Sequence, residues 1–383
     1  MTEPAADASR EANPAVRHGV HGAGRLVVKV GSSSLTTGAG FLDVDALTSL
    51  VDVLAVRARA GVQVVLVSSG AVAAGILPLG LPRRPKDLAT QQAAASVGQG
   101  ALVAAYSRAF GAHGLTVGQV LLTADDLIRQ QHYANARRAV NRLLRLGVVP
   151  VVNENDTVAT HEFRFGDNDR LAALVAHLVR ADALLLLTDV DALYDGPPSE
   201  PGASRLPVVA SPQDLDHVRL GDTASSIGTG GMVTKVEAAR IATGAGIVTM
   251  LTSTDLVERA LEGADVGTVF SPTAPRPSSR MLWLAHASAP RGRLTIDDGA
   301  VRALVTKHAS LLPAGIVRVE GGFDEGSPVE VVDRAGRPVA RGLVAFSSEN
   351  LPRLLGRGTH WLGEVFGPEY AREVIHRDYL VLV

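Results

Sequence analysis

The chain has 383 residues, of which 46% are apolar and 20% are charged, and its formal net charge is −2. This length exceeds one ordinary domain, so the sequence predicts two domains with separate cores. The small net charge argues against general electrostatic binding of nucleic acid, and the composition argues against an acidic disordered chain. The absence of cysteine excludes disulfides, thiolate zinc sites and thiol nucleophiles.

Residues 1–24 are rich in Ala, Glu, Asp, Asn and His and lack an apolar core, which predicts a disordered tail rather than a signal peptide or anchor. No later segment contains eighteen uninterrupted apolar residues, and the most apolar stretch, residues 183–188, has the length of a strand. The expected location is therefore the cytoplasm, with no membrane contact.

Residues 25–270 alternate short apolar runs with helical patterns, which indicates an α/β domain whose parallel sheet is covered on both faces. The predicted strands are 26–30, 63–67, 148–152, 183–189 and 247–251. The predicted helices lie near 44–60, 89–112, 169–180 and 231–243. Ligands of such sheets bind at the carboxyl ends of the strands, so the loops that begin there are the candidate sites.

The pattern changes after Phe270. Residues 271–290 contain three prolines within a few positions and are predicted to be a connector. Residues 291–383 combine short strands with turn sequences such as Glu320-Gly-Gly, which favours a small, mainly β domain with one or two short helices.

Two lysines lie next to glycine-containing loops. Lys29 lies at the end of the first strand, before Gly31, and Lys235 ends the run Gly228-Thr-Gly-Gly-Met-Val-Thr-Lys235. Backbone N–H groups and mobile ammonium groups together suit phosphoryl transfer. The run is not a Walker A motif, because Val236 follows the lysine, and it lies too late in the chain for a dinucleotide fingerprint. A surface lysine and a packing loop are the structural alternatives.

A second strand ends in Ser68-Ser69-Gly70, and its hydroxyl and N–H groups suit a small anion such as a carboxylate. The alternative is a helix N-cap by Ser68 or Ser69 with tight helix–sheet packing at Gly75. A serine hydrolase is disfavoured, because no glycine stands two residues before either serine.

The polar segments 153–157 and 165–169 follow a strand and precede a helix, respectively. Their amides and carboxylates suit the ammonium and carboxylate of an amino acid, and the alternative is a solvated turn. Neither segment contains His or Cys, and the carboxylates lack EF-hand spacing, so no metal site is predicted. Thr188 and Asp189, at another strand end, either contact a nucleotide or cap the turn.

Taken in this order, the segments resemble the amino acid kinase superfamily from about Arg25 to the C-terminus. The motifs that carry the resemblance are Val28-Lys-Val-Gly-Ser-Ser, Ser68-Ser-Gly-Ala-Val-Ala-Ala-Gly, Val151-Val-Asn-Glu-Asn-Asp, Gly166-Asp-Asn-Asp, Leu186-Leu-Thr-Asp and the run 228–235. The later domain is similar to a PUA domain, in particular around residues 294–300 and 310–316.

The resemblance implies a three-layer α/β sandwich with a mainly parallel sheet, followed by a small PUA-like β barrel. It implies transfer of the ATP γ-phosphoryl group to the side-chain carboxylate of L-glutamate, the first step of proline biosynthesis. The implied catalytic residues are Lys29, Lys235 and Asp169, and the implied glutamate-binding residues are Ser69, Asp156 and Asn168. The implied ATP-binding residues are Lys29, Thr188, Asp189, Thr229, Gly230, Gly231, Met232, Val233, Thr234 and Lys235.

The resemblance also implies partners. Mg²⁺ is expected to bind through the nucleotide phosphates, proline to act as a feedback inhibitor, and a glutamyl-phosphate reductase to receive the product. A homodimer or homotetramer is expected. The alternatives are another carboxylate or carbamate kinase of the same fold, and an RNA-binding role of the PUA-like domain, against which the near-neutral charge argues.

Overall fold

The chain divides into two compact units, Met1–Arg276 and Pro277–Val383. The computed structural model describes residues 14–123, 126–127, 130–157, 168–198, 200, 202–218, 231–273, 290–307 and 309–382. The predicted connector lies mostly outside these residues. Among them, no helix combines the length and the apolar character that crossing a membrane requires.

The described helices and strands of the first unit alternate, as predicted. The helices are α1 Pro14–His21, α2 Val44–Arg59, α3 Ala71–Ile76, α4 Leu88–Ala112, α5 Gln130–Arg145, α6 Asn168–Val179, α7 Met232–Gly244 and α8 Val257–Leu261. The strands are β1 Arg25–Val30, β2 Gln63–Ser68, β3 Thr116–Leu122, β4 Val148–Glu154, β5 Ala183–Thr188, β6 Val208–Val209, β7 Val248–Ser253 and β8 Thr268–Phe270. Short 3-10 turns span Ser33–Leu35, Pro212–Leu215 and Thr254–Leu256.

The strands form one sheet in the order β3-β4-β2-β1-β5-β7-β8-β6. Neighbouring strands are parallel from β3 to β7, whereas β8 is antiparallel to β7 and parallel to β6. The prediction of a mainly parallel α/β sheet is therefore confirmed. The chain passes from β1 to β2 on one side and from β5 to β7 on the other. The connections diverge between β1 and β5, which is where ligands of such sheets bind.

Helices cover both faces of the sheet. One face packs against α1, α2, α4 and α8 in a single apolar cluster that includes Leu26, Val28, Leu66 and Leu185. Side chains alternate along a strand, so Val27, Lys29 and the residues paired with them face the other side, which α6 and α7 cover. This alternation places Lys29 on the same face of the sheet as α6 and α7.

The structure differs from the predicted disordered tail at residues 14–24, where α1 forms. Arg17 donates hydrogen bonds to the carbonyl oxygens of Val266 (2.5 Å) and Pro207 (3.2 Å), and Val20 is fully buried. An isolated helix of eight residues is unstable in water, so α1 depends on these contacts with distant segments. No local pattern reports such contacts, which is why the sequence predicted disorder.

Two glycines let α3 and α4 pack in direct backbone contact. A Cβ atom added at Gly98 would lie 1.7 Å from the carbonyl oxygen of Ala71, and one at Gly75 would lie 1.9 Å from that of Ala94. Gly75 therefore serves helix–helix packing rather than the predicted helix–sheet packing. This close contact fixes α3, and with it the strand end at Ser68 and Ser69, against the long helix α4.

The second unit is mainly β, as predicted. Its strands are β9 Gly292–Ile296, β10 Ile316–Gly321, β11 Pro328–Val332, β12 Pro338–Leu343 and β13 Leu380–Leu382, in the sheet order β10-β9-β11-β12-β13. Among the described residues of this unit, two helices, α9 Asp298–Lys307 and α10 Thr359–Phe366, and four 3-10 turns accompany the sheet. Its own apolar core includes Leu294, Leu304, Val331 and Leu362. The 3-10 turns are Pro313–Gly315, Leu351–Arg353, Pro368–Tyr370 and Arg377–Tyr379.

The α3–α4 contact predicts opposite effects for two glycines of one helix. We expect Gly98→Ala to lower the free energy of unfolding by about 1–3 kcal/mol, because the added methyl group overlaps a backbone carbonyl. Gly100 has no atom within 4 Å of an added Cβ, so Gly100→Ala should raise stability by up to about 1 kcal/mol through helix propensity. Chemical denaturation measures both; equal effects would contradict the close contact.

Candidate active site

The centre of the site is a buried carboxylate that binds two ammonium groups. Asp169, in the first turn of α6, is fully buried. Its Oδ1 lies 2.5 Å from Nζ of Lys29 on β1, and its Oδ2 lies 3.2 Å from Nζ of Lys235 in the first turn of α7. Thr234 Oγ1 also donates to Oδ2, at 3.1 Å. The structure thus brings together residues from three elements that lie far apart in the sequence.

The charges of this group do not cancel. Lys29 and Lys235 are 3% and 7% exposed, so both ammonium groups are largely removed from water. A buried ammonium group requires a counter-charge, and Asp169 supplies one carboxylate for two cations. These three residues together carry one net positive charge, which suits an anionic ligand beside the two lysines.

A glycine leaves space in front of Lys29. A Cβ atom at Gly31 would lie 3.5 Å from Lys29 Nζ and 3.7 Å from Ser33 Oγ. A larger residue would therefore place its side chain against the ammonium group. The loop after β1 keeps Lys29 accessible to a ligand at the carboxyl edge of the sheet.

The amide of Asn168 connects the ends of β2 and β4. Its Nδ2 donates to Ser69 Oγ at 2.8 Å, to Asn153 Oδ1 at 3.0 Å and to the carbonyl oxygen of Ser68 at 3.2 Å. Its Oδ1 is buried and has no hydrogen-bond partner within the described part of the chain. A buried acceptor without a donor is costly, so Oδ1 is suited to a donor on a ligand.

The helix-cap alternative for the two serines is wrong. Gly70, with φ of 102°, is the N-cap of α3, and no side chain among the described residues caps that helix. Ser68 Oγ instead lies 2.8 Å from the hydroxyl oxygen of Tyr106 and donates to the carbonyl oxygen of Ser69. Burial raises the pKa of the Tyr106 phenol, and the hydrogen bond with Ser68 acts in the opposite direction. Ser68 is thus a core residue, whereas Ser69 lies beside Asn168.

Asp156 lies near an arginine that the sequence analysis did not consider. The pKa of the Arg84 guanidinium is lowered, mainly because the group is partly buried. The nearby carboxylate of Asp156 acts in the opposite direction. Arg84 belongs to the connection between α3 and α4, so this pair joins that connection to the loop after β4. A single arginine in a basic loop sequence carries no pattern that could have identified it.

Of the predicted nucleotide-binding residues, Lys29 is on β1 itself, and Thr188 and Asp189 lie on the other side of β1. Thr188, at the end of β5, is buried and donates to Asp189 Oδ1 at 2.9 Å. Gly231 is the N-cap of α7, whose described residues provide no side-chain cap, so Met232, Val233 and Thr234 begin a helix with unoccupied N–H groups. Thr229 and Gly230 lie outside the described residues.

The described residues contain no cluster of three or more His, Cys, Asp or Glu side chains that could hold a metal ion. Both carboxylate oxygens of Asp169 already bind lysines.

Comparison with known proteins assigns the chain to a family. The sequence profile of the amino acid kinase family matches residues 24–253, and that of the PUA domain matches residues 292–359. A protein of Streptomyces avermitilis named glutamate 5-kinase is 62% identical over 372 residues, which are 96% of this chain and 99% of that protein. The glutamate 5-kinase of Thermobifida fusca is 62% identical over 361 residues, 94% of this chain and 93% of that protein.

A solved structure shares the fold at low sequence identity. The carbamate kinase of Giardia lamblia bound to AMP-PNP is 19% identical, with a TM-score of 0.50, and covers 64% of this chain and 98% of that chain. This similarity concerns the fold alone.

The chain therefore belongs to the amino acid kinase family, with a PUA domain after the kinase domain. Among the members of that family it is similar, over nearly its whole length, to the glutamate 5-kinases.

The charge balance at Asp169 predicts a large stability effect. We expect Asp169→Asn to lower the free energy of unfolding by about 3–5 kcal/mol, because two buried ammonium groups lose their counter-charge. The exposed Asp189 is the matched control, and Asp189→Asn should change stability by less than about 0.5 kcal/mol. Urea denaturation of both variants measures the difference; similar stabilities would contradict the proposed electrostatic role.

Proposed function

We propose that this protein transfers the γ-phosphoryl group of ATP to the side-chain carboxylate of L-glutamate. The main support for this proposal is the buried group of Lys29, Asp169 and Lys235. These three residues together carry one net positive charge at the carboxyl edge of the sheet. The two relatives named glutamate 5-kinase match nearly the whole chain, at 62% identity over 96% and 94% of its length.

The strand order supports separate places for the two substrates. Ser69 follows β2 and is bonded to Asn168, which also donates to Asn153 of β4, so this group lies on one side of β1. Thr188 lies at the end of β5, on the other side. Lys29, on β1, stands between them. Glutamate on the β2–β4 side and ATP on the β5–β7 side would thus meet at Lys29, which suits an in-line transfer.

The acceptor side suits an amino acid. The ammonium group of glutamate is a donor. Two acceptors would bind it, Asn168 Oδ1, which has no partner among the described residues, and the carboxylate of Asp156. The Ser69 hydroxyl and the Arg84 guanidinium can bind a carboxylate. Carbamate carries no ammonium group, so this set of acceptors favours glutamate over the alternative carbamate kinase.

The reaction needs no general base. The glutamate carboxylate has a reference pKa of about 4.3 and is ionised at neutral pH. One of its oxygens attacks the γ-phosphorus and forms a P–O bond, while the bond from that phosphorus to the β–γ bridging oxygen breaks and ADP leaves with the electron pair. The residues' contribution is to position the substrates and to balance the charge on the transferring group, a role that suits Lys29 and Lys235.

Asp169 would keep the two lysines apart and oriented by binding one at each oxygen. Mg²⁺, bound through the nucleotide phosphates, would supply further charge neutralisation there. Inhibition by proline, assembly into a homodimer or homotetramer, delivery of the acyl phosphate to a reductase and a cytoplasmic location stay predictions from the family resemblance.

The activity itself is directly testable. We expect purified protein with ATP, Mg²⁺ and L-glutamate to release ADP, and hydroxylamine to trap the acyl phosphate as a hydroxamate. The coupled ADP assay and the hydroxamate colour should both depend on glutamate, and carbamate or L-aspartate in its place should give less product. Glutamate-independent ADP release without hydroxamate would contradict the proposed function.

The two lysines should affect turnover rather than folding. We expect Lys29→Ala and Lys235→Ala each to lower kcat by about 10²–10³-fold, because each removes a charge from the transferring group. Lys307→Ala, at an exposed lysine of α9, is the control and should keep full activity. Thermal unfolding confirms that each variant is folded. If both lysine variants keep a normal kcat, the two residues have a structural rather than a catalytic role.

A further inference from the structure

The end of β7 carries a buried hydroxyl group that the fold does not use. Ser253 is 5% exposed, and its Oγ has no hydrogen-bond partner among the described residues. It is the N-cap of the 3-10 turn Thr254–Leu256, a position at which a serine hydroxyl ordinarily accepts a backbone N–H, yet it makes no such bond. A local structural role therefore does not explain this side chain.

Ser253 lies on the face of the sheet that carries the site. Ser253 pairs with Thr188, and Leu251 pairs with Leu186, which in turn pairs with Lys29. Paired residues of neighbouring strands point to the same face, as do residues two positions apart. Ser253, Thr188 and Lys29 therefore share the face covered by α6 and α7, and both Ser253 and Thr188 are at the carboxyl edge.

The distance from Lys29 matches the adenosine half of a nucleotide. Two strand spacings of about 4.8 Å separate β1 from β7, so the end of β7 is about 10 Å from the strand of Lys29. The acceptor side of the site lies in the opposite direction, at β2 and β4. A nucleotide with its γ-phosphate at Lys29 and its chain passing Thr188 would bring its ribose and base to Ser253.

We propose that Ser253 is a nucleotide-binding residue, whose hydroxyl forms a hydrogen bond with the adenosine half of ATP. This inference rests on the proposed function. A neutral hydroxyl, which both donates and accepts, suits the ribose hydroxyls and the base edge, whereas the phosphates are met by the lysines. The bound nucleotide thereby satisfies a buried polar group that is otherwise without a partner.

The neighbouring residue offers a matched control. Thr252 is fully buried, and its Oγ1 also has no partner among the described residues. Its side chain lies on the opposite face, because an added Cβ at Gly267 would approach both Thr252 and Met250, and Met250 belongs to the core of that face. Ser253→Ala and Thr252→Val thus each remove one buried, unpartnered hydroxyl from consecutive residues, and only the first faces the site.

Steady-state kinetics of the full-length protein tests the proposal. We expect Ser253→Ala to raise the KM for ATP about fivefold, the loss typical of one neutral hydrogen bond, with kcat and the KM for glutamate unchanged. Thr252→Val should leave all three parameters unchanged, and Ser253→Thr, which keeps the hydroxyl, should restore the KM for ATP. An unchanged KM for ATP in Ser253→Ala, an equal rise in Thr252→Val, or a rise in the KM for glutamate alone would overturn the proposal.

Three analogues locate the contact: 2′-deoxyATP, 3′-deoxyATP and inosine triphosphate. With the analogue that lacks the contacted group, wild type and Ser253→Ala should have equal KM values. A rise that persists undiminished with all three excludes the ribose hydroxyls and the Watson–Crick edge of the base as partners of Ser253 and overturns the proposal. Wild-type protein without glutamate-dependent ADP release would contradict the proposed function instead, so the two failures are distinguishable.

Discussion

The binding of two lysines by one buried carboxylate is the interaction on which the site depends. Asp169 joins β1, through Lys29, to α7, through Lys235, and it does so without exposure to water. The two buried ammonium groups depend on Asp169 for a counter-charge, because a desolvated ion without one is costly. These residues together carry one net positive charge, so the group that holds the three elements together is also the group proposed to bind the transferring phosphoryl group.

The helix termini show which of these charges serve stability and which serve function. Asp169 lies in the first turn of α6, where a negative charge interacts favourably with the helix dipole. Lys235 lies in the first turn of α7, where a positive charge is unfavourable. Asp169 offsets that cost, and a bound phosphate would offset it further. An anion at the N-terminus of α7 would contact both the helix N–H groups and the ammonium group of Lys235. The proposed phosphoryl transfer requires such an arrangement.

The sequence patterns were most informative where burial is continuous and least where structure depends on distant contacts. Strands β1, β2, β4, β5 and β7 are largely apolar because both faces of the sheet are covered, and their ends were located to within a residue or two. Strand β3, which lies at the sheet edge, is only partly buried and includes Gly118, and α5 is mostly polar, so neither was predicted. Arg84 and Ser253 were missed because nothing local distinguishes them from ordinary loop and cap residues.

By itself, the sequence determined the order of the main strands and helices in the kinase domain, the residue types at each strand end and the family. These features depend on local periodicity and short motifs, which a single sequence contains. Only the tertiary structure decided which of those residues meet. Asn168 is bonded to Ser69 rather than exposed in a turn, Gly98 meets the backbone of Ala71, and the helix α1 forms where its own residues predict disorder. Sheet order and side-chain alternation set these contacts, and both arise from packing among segments that are remote along the chain.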